Sequence, residues 1–354
     1  QNLRSSLRSL AIAGLVISLL LGACGGNSTS TGGKKQYTIG FVVPLISNPY
    51  WKLMQDFAQG AAGTLGVKLL TAQANSDEST EINIVEGWVA RKVDGMVVGP
   101  VSDKVGQTVL RDAETAKIPV TFMQRQPGVT PDQYSGKQYI GYVGTDDIGG
   151  GTTEANLLYM AGGRKWVAMT GDQGNSVATD RLTAAQKFVQ AHPDVTILRT
   201  QYGNEARDSG TKTMENFLSA LPGPGFDTVF SFNDEGALGA IQALKNANDI
   251  SKVKIGAIDG TTDGVQAVKD GNLLVTVGGG YACGAFALVE LFDYLNGHSP
   301  KSRSVLIPLL PVTSQNVDKY QSQVLNGMTT YDFKSVSVTY NSSASTDDYK
   351  ITLK

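Results

Sequence analysis

The stretch IGFVVPLISNPYW, residues 39–51, begins as an apolar run and ends in a polar, aromatic turn that leads into a helical pattern. The stretch VFSFNDEGALGAIQAL, residues 229–244, has the same order of apolar run, polar turn and amphipathic helix much later in the chain. This alternation predicts βαβ units, and therefore a mostly parallel sheet that is covered by helices on both faces. We expect an α/β fold in which this unit recurs.

Strand patterns fall into two consecutive series. The first series lies at residues 37–43, 67–72, 95–98 and 120–123. The second lies at residues 139–143, 166–169, 195–198, 229–232 and 253–258. Because 354 residues exceed the size at which one core keeps growing, we predict two doubly wound parallel-sheet lobes that are joined by a three-segment hinge.

The rest of the chain completes both lobes. We predict helices over 182–190, 235–246 and 285–295, strands over 274–277 and 305–310, a short helix capped by Ser314, and a β-like end at 336–340. The hinge crossings are expected at 145–147, 278–280 and 307–312. The first lobe then comprises 36–145 plus 281–308, and the second comprises 146–280 plus 309–354.

The first residues resemble a bacterial lipoprotein signal. Arg4 and Arg8 precede an apolar run over 10–21, and Leu21-Gly22-Ala23-Cys24 follows in the manner of a lipobox. The resemblance implies that 1–23 is a signal peptide and that Cys24 is lipidated. Residues 24–35 then form a flexible Gly/Ser/Thr tether. We expect an extracytoplasmic protein that is anchored to the cell membrane by this lipid.

Composition and motifs argue against several function classes. The formal net charge of −2 leaves no basic excess for nucleic acid. The sequence has no phosphate-binding loop, no nucleophile elbow and no Cys/His metal spacing, and His192 and His298 both occupy surface-like loops. Cys283 is interpreted as a small buried helix residue. We expect a monomeric, non-catalytic protein that holds neither cofactor nor metal.

Polar and aromatic residues gather where the predicted strands end. Because those ends meet at one edge of each parallel sheet, the residues are expected to line a cleft between the lobes. The set comprises Ser47, Asn48, Tyr50, Trp51, Gln124, Arg125, Asp146, Glu205, Asn233 and Asp259. Amides, carboxylates and a guanidinium suit the hydroxyls of a neutral polyol, and the aromatic rings suit its C–H faces.

Four stretches resemble the type I periplasmic binding proteins, and among them the ribose-binding-like sugar receptors of ABC importers. They are residues 39–51, 119–125, 229–244 and 255–264, and the resemblance covers about 37–312. It implies ligand contacts at Asn48, Tyr50, Trp51, Arg125, Asn233 and Asp259, and a permease as partner. Ser47, Asp103 and Asp146 are weaker candidates for the same cleft.

Some positions depart from the ribose-binding pattern. Gly99 replaces an Asn, Gln124 an Asp, Thr179 an Arg, Glu205 an aromatic ring, and Gly279 a Gln. The loss of an Asp and an Arg would change the charge of the pocket, and the two glycines would make it roomier. The resemblance therefore implies a bulkier sugar, a polyol or a sugar derivative rather than ribose.

Several alternatives remain open at this point. Asn48 and Asn233 could simply cap helices, and Tyr50 and Trp51 could pack in a lobe core. The same fold could signal to a membrane receptor, or could bind a nucleoside or another non-sugar molecule. An enzyme is disfavoured, because neither histidine of the sequence suggests a general base. A transcriptional regulator is disfavoured, because it would need a DNA-reading segment where the lipobox stands.

Overall fold

Six parallel strands form the first sheet of the structure. In this computed structural model, residues 35–173, 175–223, 225–327 and 330–354 are described. The strands are β1 (Thr38–Val43), β2 (Lys68–Gln73), β3 (Gly95–Val98), β4 (Val120–Met123), β5 (Tyr139–Thr145) and β11 (Ser304–Ile307). Their order across the sheet is β11, β5, β4, β3, β1, β2.

A second sheet of six strands repeats this plan. Its strands are β6 (Lys165–Met169), β7 (Thr196–Gln201), β8 (Thr228–Ser231), β9 (Lys254–Asp259), β10 (Val275–Gly278) and β12 (Leu310–Val312). The order is β12, β10, β9, β8, β6, β7, and β12 pairs antiparallel to β10. The prediction of two doubly wound α/β halves is confirmed.

Helices follow most strands and cover the two sheets. They are α1 (Pro49–Leu65), α2 (Glu78–Ala90), α3 (Asp103–Ala116), α4 (Asp147–Met160), α5 (Ser176–Ala191), α6 (Arg207–Ala220), α7 (Asp234–Asn246), α8 (Thr262–Lys269), α9 (Cys283–Leu295) and α10 (Val317–Tyr320). Among the described residues, we find no helix with the length and apolar character that a membrane span requires.

The core of the first sheet depends on one close approach. A Cβ placed on Gly40 of β1 would lie 2.4 Å from the ring of Trp88, so only glycine lets α2 pack this near to the strand. Trp88 is 5% exposed and is a core residue. Cys283 is also fully buried, at the start of α9.

Three predicted elements are wrong, and a fourth is displaced. The run 305–310 is two strands in different sheets, because Pro308 cannot donate to the ladder. The helix near Ser314 begins later, at Val317, and the preceding Asn316 accepts from the Thr313 amide instead. Residues 336–340 form turns rather than a strand. The predicted strand at 195–198 is displaced to β7, an edge strand with little apolar character.

The chain end is tied to α9. The Asp293 carboxylate on this helix accepts hydrogen bonds from the Ser337 hydroxyl and from the Val338 and Thr339 amides. Since α9 packs against β3, β4 and β5, this part of the tail lies with the first sheet. We expected all of 309–354 in the second lobe, whereas these contacts place residues 337–339 beside the first sheet.

One carboxyl group is buried in α9 without a partner. Glu290 is 2% exposed, neither of its carboxyl oxygens has a hydrogen-bond partner in the protein, and it lies directly over Gly141 of β5. Burial raises the pKa of Glu290 from 4.5 to about 8, although the Arg303 guanidinium opposes the shift.

Glu290→Gln should therefore change how stability depends on pH. A carboxyl with a raised folded-state pKa favours folding at low pH, and this contribution is lost as pH rises from about 4.5 through about 8. The wild-type free energy of unfolding should fall in that window relative to Glu290→Gln, measured by urea denaturation. The exposed Glu215→Gln is the control, and equal pH profiles for the wild type and Glu290→Gln would contradict the assignment.

Candidate ligand-binding site

The carboxyl ends of the two sheets face each other across a cleft. An outer opening of about 710 Å³ leads to an inner cavity of about 40 Å³, and both are lined by residues from both sheets. The inner cavity is lined by Asn48, Tyr50, Trp51, Gln124, Arg125, Asn175, Val177, Arg181, Glu205, Phe232, Asn233 and Asp259. The structure thus brings together all six residues for which the resemblance implied ligand contacts, and Gln124 lies among them.

Two asparagines both line the inner cavity and cap helices. The Asn48 side chain accepts from the Tyr50 amide at 2.9 Å at the start of α1. The Asn233 side chain accepts from the Gly236 amide at 2.8 Å at the start of α7, and it donates to the Glu205 carbonyl. The capping interpretation and the cleft location are both correct, because a cap fixes the side chain at the strand end.

Trp51 and Arg125 form one wall of the cavity. The Arg125 guanidinium lies 5.3 Å from the centre of the Trp51 ring and donates to the Val101 carbonyl at 3.3 Å. Trp51 is 6% exposed and therefore also packs in the lobe, and it lines the inner cavity. The wall presents a flat aromatic surface beside a fixed set of donors.

Arg125 and Glu205 approach each other across the cleft. Arg125 follows β4 of the first sheet, Glu205 follows β7 of the second, and their charged atoms are 3.6 Å apart. The other Glu205 carboxylate oxygen accepts from the Asn175 side-chain amide at 2.9 Å. Both charged side chains remain partly exposed, so the pair is a modest contact between the two walls.

The sequence analysis missed Arg181, which is the most buried charge in the cleft. Its Nε donates to Asp147 at 2.8 Å, its Nη1 donates to the Phe232 carbonyl at 2.7 Å, and Asp259 lies 3.6 Å away. The side chain is 3% exposed. Burial raises the pKa of Asp259 well above its ordinary value, and the nearby Arg181 opposes this shift.

The cleft contains an arginine on α5, two residues after the position at which the resemblance implied the loss of one. Thr179, which was aligned with that arginine, is exposed and lines neither cavity, whereas Arg181 points inward from the same helix. A sequence signal existed: Arg181 shares the apolar face of α5 with Val177, Ala178 and Ala185 at helical spacing. A cation on that face indicates a buried partner.

The two glycines do not enlarge the pocket. A Cβ on Gly99 would lie 3.2 Å from both Trp51 and Met123, and one on Gly279 would lie 3.7 Å from Ile351. Neighbouring side chains already occupy the space, and neither glycine lines either cavity. The expectation of a roomier pocket from these positions is wrong.

Of the weaker candidates, two line the outer opening and one caps a helix. Ser47 and Asp103 line the outer opening. Asp146 lines neither cavity; it caps α4 by accepting from the Gly149 amide at 2.9 Å. Among the described residues, no cluster of His, Cys, Asp and Glu has the size to hold a metal ion.

The charges of the inner cavity balance. Two guanidiniums, Arg125 and Arg181, face two carboxylates, Glu205 and Asp259. Amides, a phenol and an aromatic ring make up most of the remaining polar and flat surface. This arrangement defines a polar cleft between two α/β lobes that suits an uncharged ligand with several hydroxyl groups.

The comparison with known families agrees with this class. Residues 39–299 match the sequence model of the periplasmic binding protein domain. The chain belongs to this family, and its two mainly parallel sheets with flanking helices are those of the type I periplasmic binding proteins.

Individual relatives extend over most of the chain. The ribose import binding protein of Salmonella typhimurium is 32% identical over 243 residues, which is 68% of this chain and 78% of that protein. A xylitol-binding protein of Mycolicibacterium smegmatis is 31% identical over 278 residues, which is 78% of this chain and 76% of that protein.

A solved structure has the same fold. The periplasmic binding protein of the arabinose ABC transporter from a Shewanella species, bound to L-arabinofuranose, superposes with a TM-score of 0.75. It is 26% identical, and the match covers 82% of this chain and 96% of that chain.

Arg181→Ala should destabilise the protein far more than Thr179→Ala. Removal of the guanidinium leaves Asp147 and Asp259 buried without their cation, a defect that costs about 3 to 5 kcal/mol. Thr179 is exposed, so its truncation should cost about 0.5 kcal/mol or less. Urea denaturation of both variants measures the difference, and a similar loss in both would remove Arg181 from this buried role.

Proposed function

We propose that this chain is an extracytoplasmic solute-binding protein of an ABC importer, which binds a monosaccharide or a sugar-like polyol between its lobes. The observation that carries the proposal is the charge-balanced inner cavity between two parallel sheets, with donors, acceptors and an aromatic face side by side. The ligand is held without chemical change and is delivered to a permease.

The lining suits hydroxyl groups better than charged ones. Asn48, Asn233 and Asp259 offer acceptors or donors to adjacent hydroxyls, and Trp51 offers a face to ring C–H groups. A net hydrogen bond to a charged partner is worth about 1.5 to 3 kcal/mol. Several of them are needed to reach micromolar affinity, which corresponds to about 8 kcal/mol. Such a number of polar side chains lines this cavity.

The relatives support the ligand class. Their names include ribose, xylitol and arabinofuranose, all of which are small, uncharged and rich in hydroxyls. We propose a small, uncharged ligand rich in hydroxyls rather than ribose itself, because the cavity differs from the ribose-binding pattern at Gln124 and Glu205.

Delivery depends on closure of the two lobes. The chain passes between the sheets near residues 145–147, 278–283 and 307–310, and we propose that these crossings form the hinge. The Asp146 amide donates to the Ile307 carbonyl at 3.0 Å, which ties two crossings together. A ligand that contacts both walls binds the closed form better and shifts the population toward it.

Arg125→Ala should abolish ligand-induced stabilisation and leave the ligand-free melting temperature nearly unchanged. The guanidinium lines the cavity but is 19% exposed and makes one weak ion pair, so its loss disturbs folding little. A thermal-shift screen against pentoses, hexoses, deoxy-sugars, polyols and nucleosides identifies ligands of the wild type. The rise in melting temperature that each ligand causes is then measured for the variant.

The control for this screen is Arg111→Ala, an exposed arginine on α3. It should retain the full ligand shift. A thermal-shift screen in which nucleosides alone stabilise the wild type would contradict the proposal. Formation of product from a sugar by the purified chain would contradict it as well. An unchanged shift in Arg125→Ala would remove this residue from the site.

We also propose that the chain is a lipoprotein anchored through Cys24. Residues 1–34 lie outside the described part of the structure, so the support is the sequence Leu21-Gly22-Ala23-Cys24 alone. Cys24→Ser should move the full-length protein from the membrane fraction to the soluble extracytoplasmic fraction, as measured by fractionation and immunoblotting. Cys283→Ser is the matched control, and a Cys24→Ser protein that stays with the membrane would contradict the anchor.

A further inference from the structure

A buried chain of hydrogen bonds runs from the first sheet to the second. The Tyr50 hydroxyl donates to Gln124 Oε1 at 2.5 Å, and Gln124 Nε2 donates to Thr145 Oγ1 at 3.0 Å. Thr145 Oγ1 donates to one Asp147 carboxylate oxygen at 2.7 Å, and the other oxygen accepts from Arg181 Nε at 2.8 Å. We call these five residues the crossing relay; each is less than 7% exposed.

The anchor of the relay is a carboxylate. Burial raises the pKa of Asp147, but the Arg181 guanidinium at 2.8 Å and the Thr145 hydroxyl both favour its charged form. Asp259, whose pKa burial raises well above its ordinary value, lies farther from the same cation, at 3.6 Å. Two short hydrogen bonds from Thr145 and Arg181 therefore hold Asp147 in its charged form.

An ionised carboxylate fixes the direction of every bond in the relay. It can only accept, so Thr145 must give it the single hydroxyl proton and must accept from Gln124 Nε2. Gln124 Oε1 then faces Tyr50, and the Cys283 thiol at 3.4 Å supplies a second donor to that oxygen. Burial raises the pKa of Tyr50 well above its ordinary value, so the phenol keeps its proton and donates it to Gln124.

We propose that Asp147 and Thr145 are positioning residues that set the hydrogen-bond polarity of the cleft, so that Tyr50 presents only lone pairs and the ligand group facing it must donate. This inference rests on the proposed function. Neither positioning residue lines the inner cavity, whereas Tyr50, Gln124 and Arg181 do. The ligand class narrows to molecules with a hydroxyl or amine donor at that point.

The opposite polarity holds at Arg181. Its Nε serves Asp147 and its Nη1 serves the Phe232 carbonyl, which leaves Nη2 to meet an acceptor of the ligand. One ligand hydroxyl therefore donates to Tyr50, while another oxygen accepts from Arg181. An ether, a carbonyl or a fluorine at the Tyr50 side would face an acceptor with another acceptor.

A double-mutant cycle tests the relay without a ligand. Tyr50→Phe and Thr145→Val each break the same line of bonds, so their shifts in the urea midpoint should not add, and the double variant should lose less than the sum. Tyr142→Phe is the matched control, since the Tyr142 hydroxyl donates to the Gln124 main-chain carbonyl at 2.9 Å. Its shift should add to that of Thr145→Val, and Thr145→Ser should stay near the wild type.

Additive shifts for Tyr50→Phe and Thr145→Val, equal to those of the control cycle, would overturn the relay. The cycle uses the whole chain and needs no knowledge of the ligand. The cycle therefore tests whether the relay residues are coupled, even if the proposed ligand class is wrong.

Fluorinated ligands test the polarity that the relay imposes. The probes are D-ribose, L-arabinose and xylitol, each compared with analogues in which one hydroxyl is replaced by fluorine, an acceptor without a proton. For a probe that binds, one fluorinated position should lose about tenfold in affinity by calorimetry, and this penalty should largely vanish in Tyr50→Phe.

A penalty that is the same in Tyr50→Phe and in the wild type, or the absence of any penalty in the wild type, would overturn the assignment of Tyr50 as an acceptor. Failure of all three parent probes to bind would instead contradict the proposed ligand class. The two failures are thereby distinguishable.

Discussion

A guanidinium buried between two sheets must be neutralised, and the pairing of Arg181 organises the cleft around it. Asp147 begins α4 directly after the first crossing, Asp259 ends β9, and the Phe232 carbonyl follows β8. One cation therefore holds the ends of three separate segments at fixed positions. Because an unpaired buried charge is costly, these segments cannot move apart independently. The other residues of the site are positioned relative to Arg181 and these partners.

The cleft has one rigid end and one adjustable end. The Arg181–Asp147 pair is almost completely buried and makes a short hydrogen bond. The Arg125 and Glu205 side chains are 19% and 32% exposed and are 3.6 Å apart, so water and salt weaken their attraction. In the lobe closure that we propose, this outer contact can be made and broken at little cost while the inner charges stay paired. Binding energy would then be available to change the shape of the cleft rather than to rebuild its charges.

Most strands and most residues that line the inner cavity were predictable, because buried parallel strands are apolar runs and the polar groups follow them directly. The failures have local physical reasons. Pro308 ends one strand and sends the next residues to the other sheet. Arg181 was not predicted because it lies within α5 rather than at a strand end, and the strand-end pattern does not report which face of that helix turns toward the cleft. Residues 337–339 lie with the first sheet instead of the second, because their contact with Asp293 depends on tertiary structure, which periodicity does not report.

The first sheet is assembled from distant parts of the chain. Its edge strand β11 and the buried helix α9 are encoded after the whole second sheet except β12. Until those residues are synthesised, β5 has an open edge and the apolar face that α9 covers is exposed. The amino-terminal half therefore cannot reach its native state ahead of the carboxyl-terminal half. Such a long-range closure slows folding and lengthens the time for which the amino-terminal half remains without its native packing.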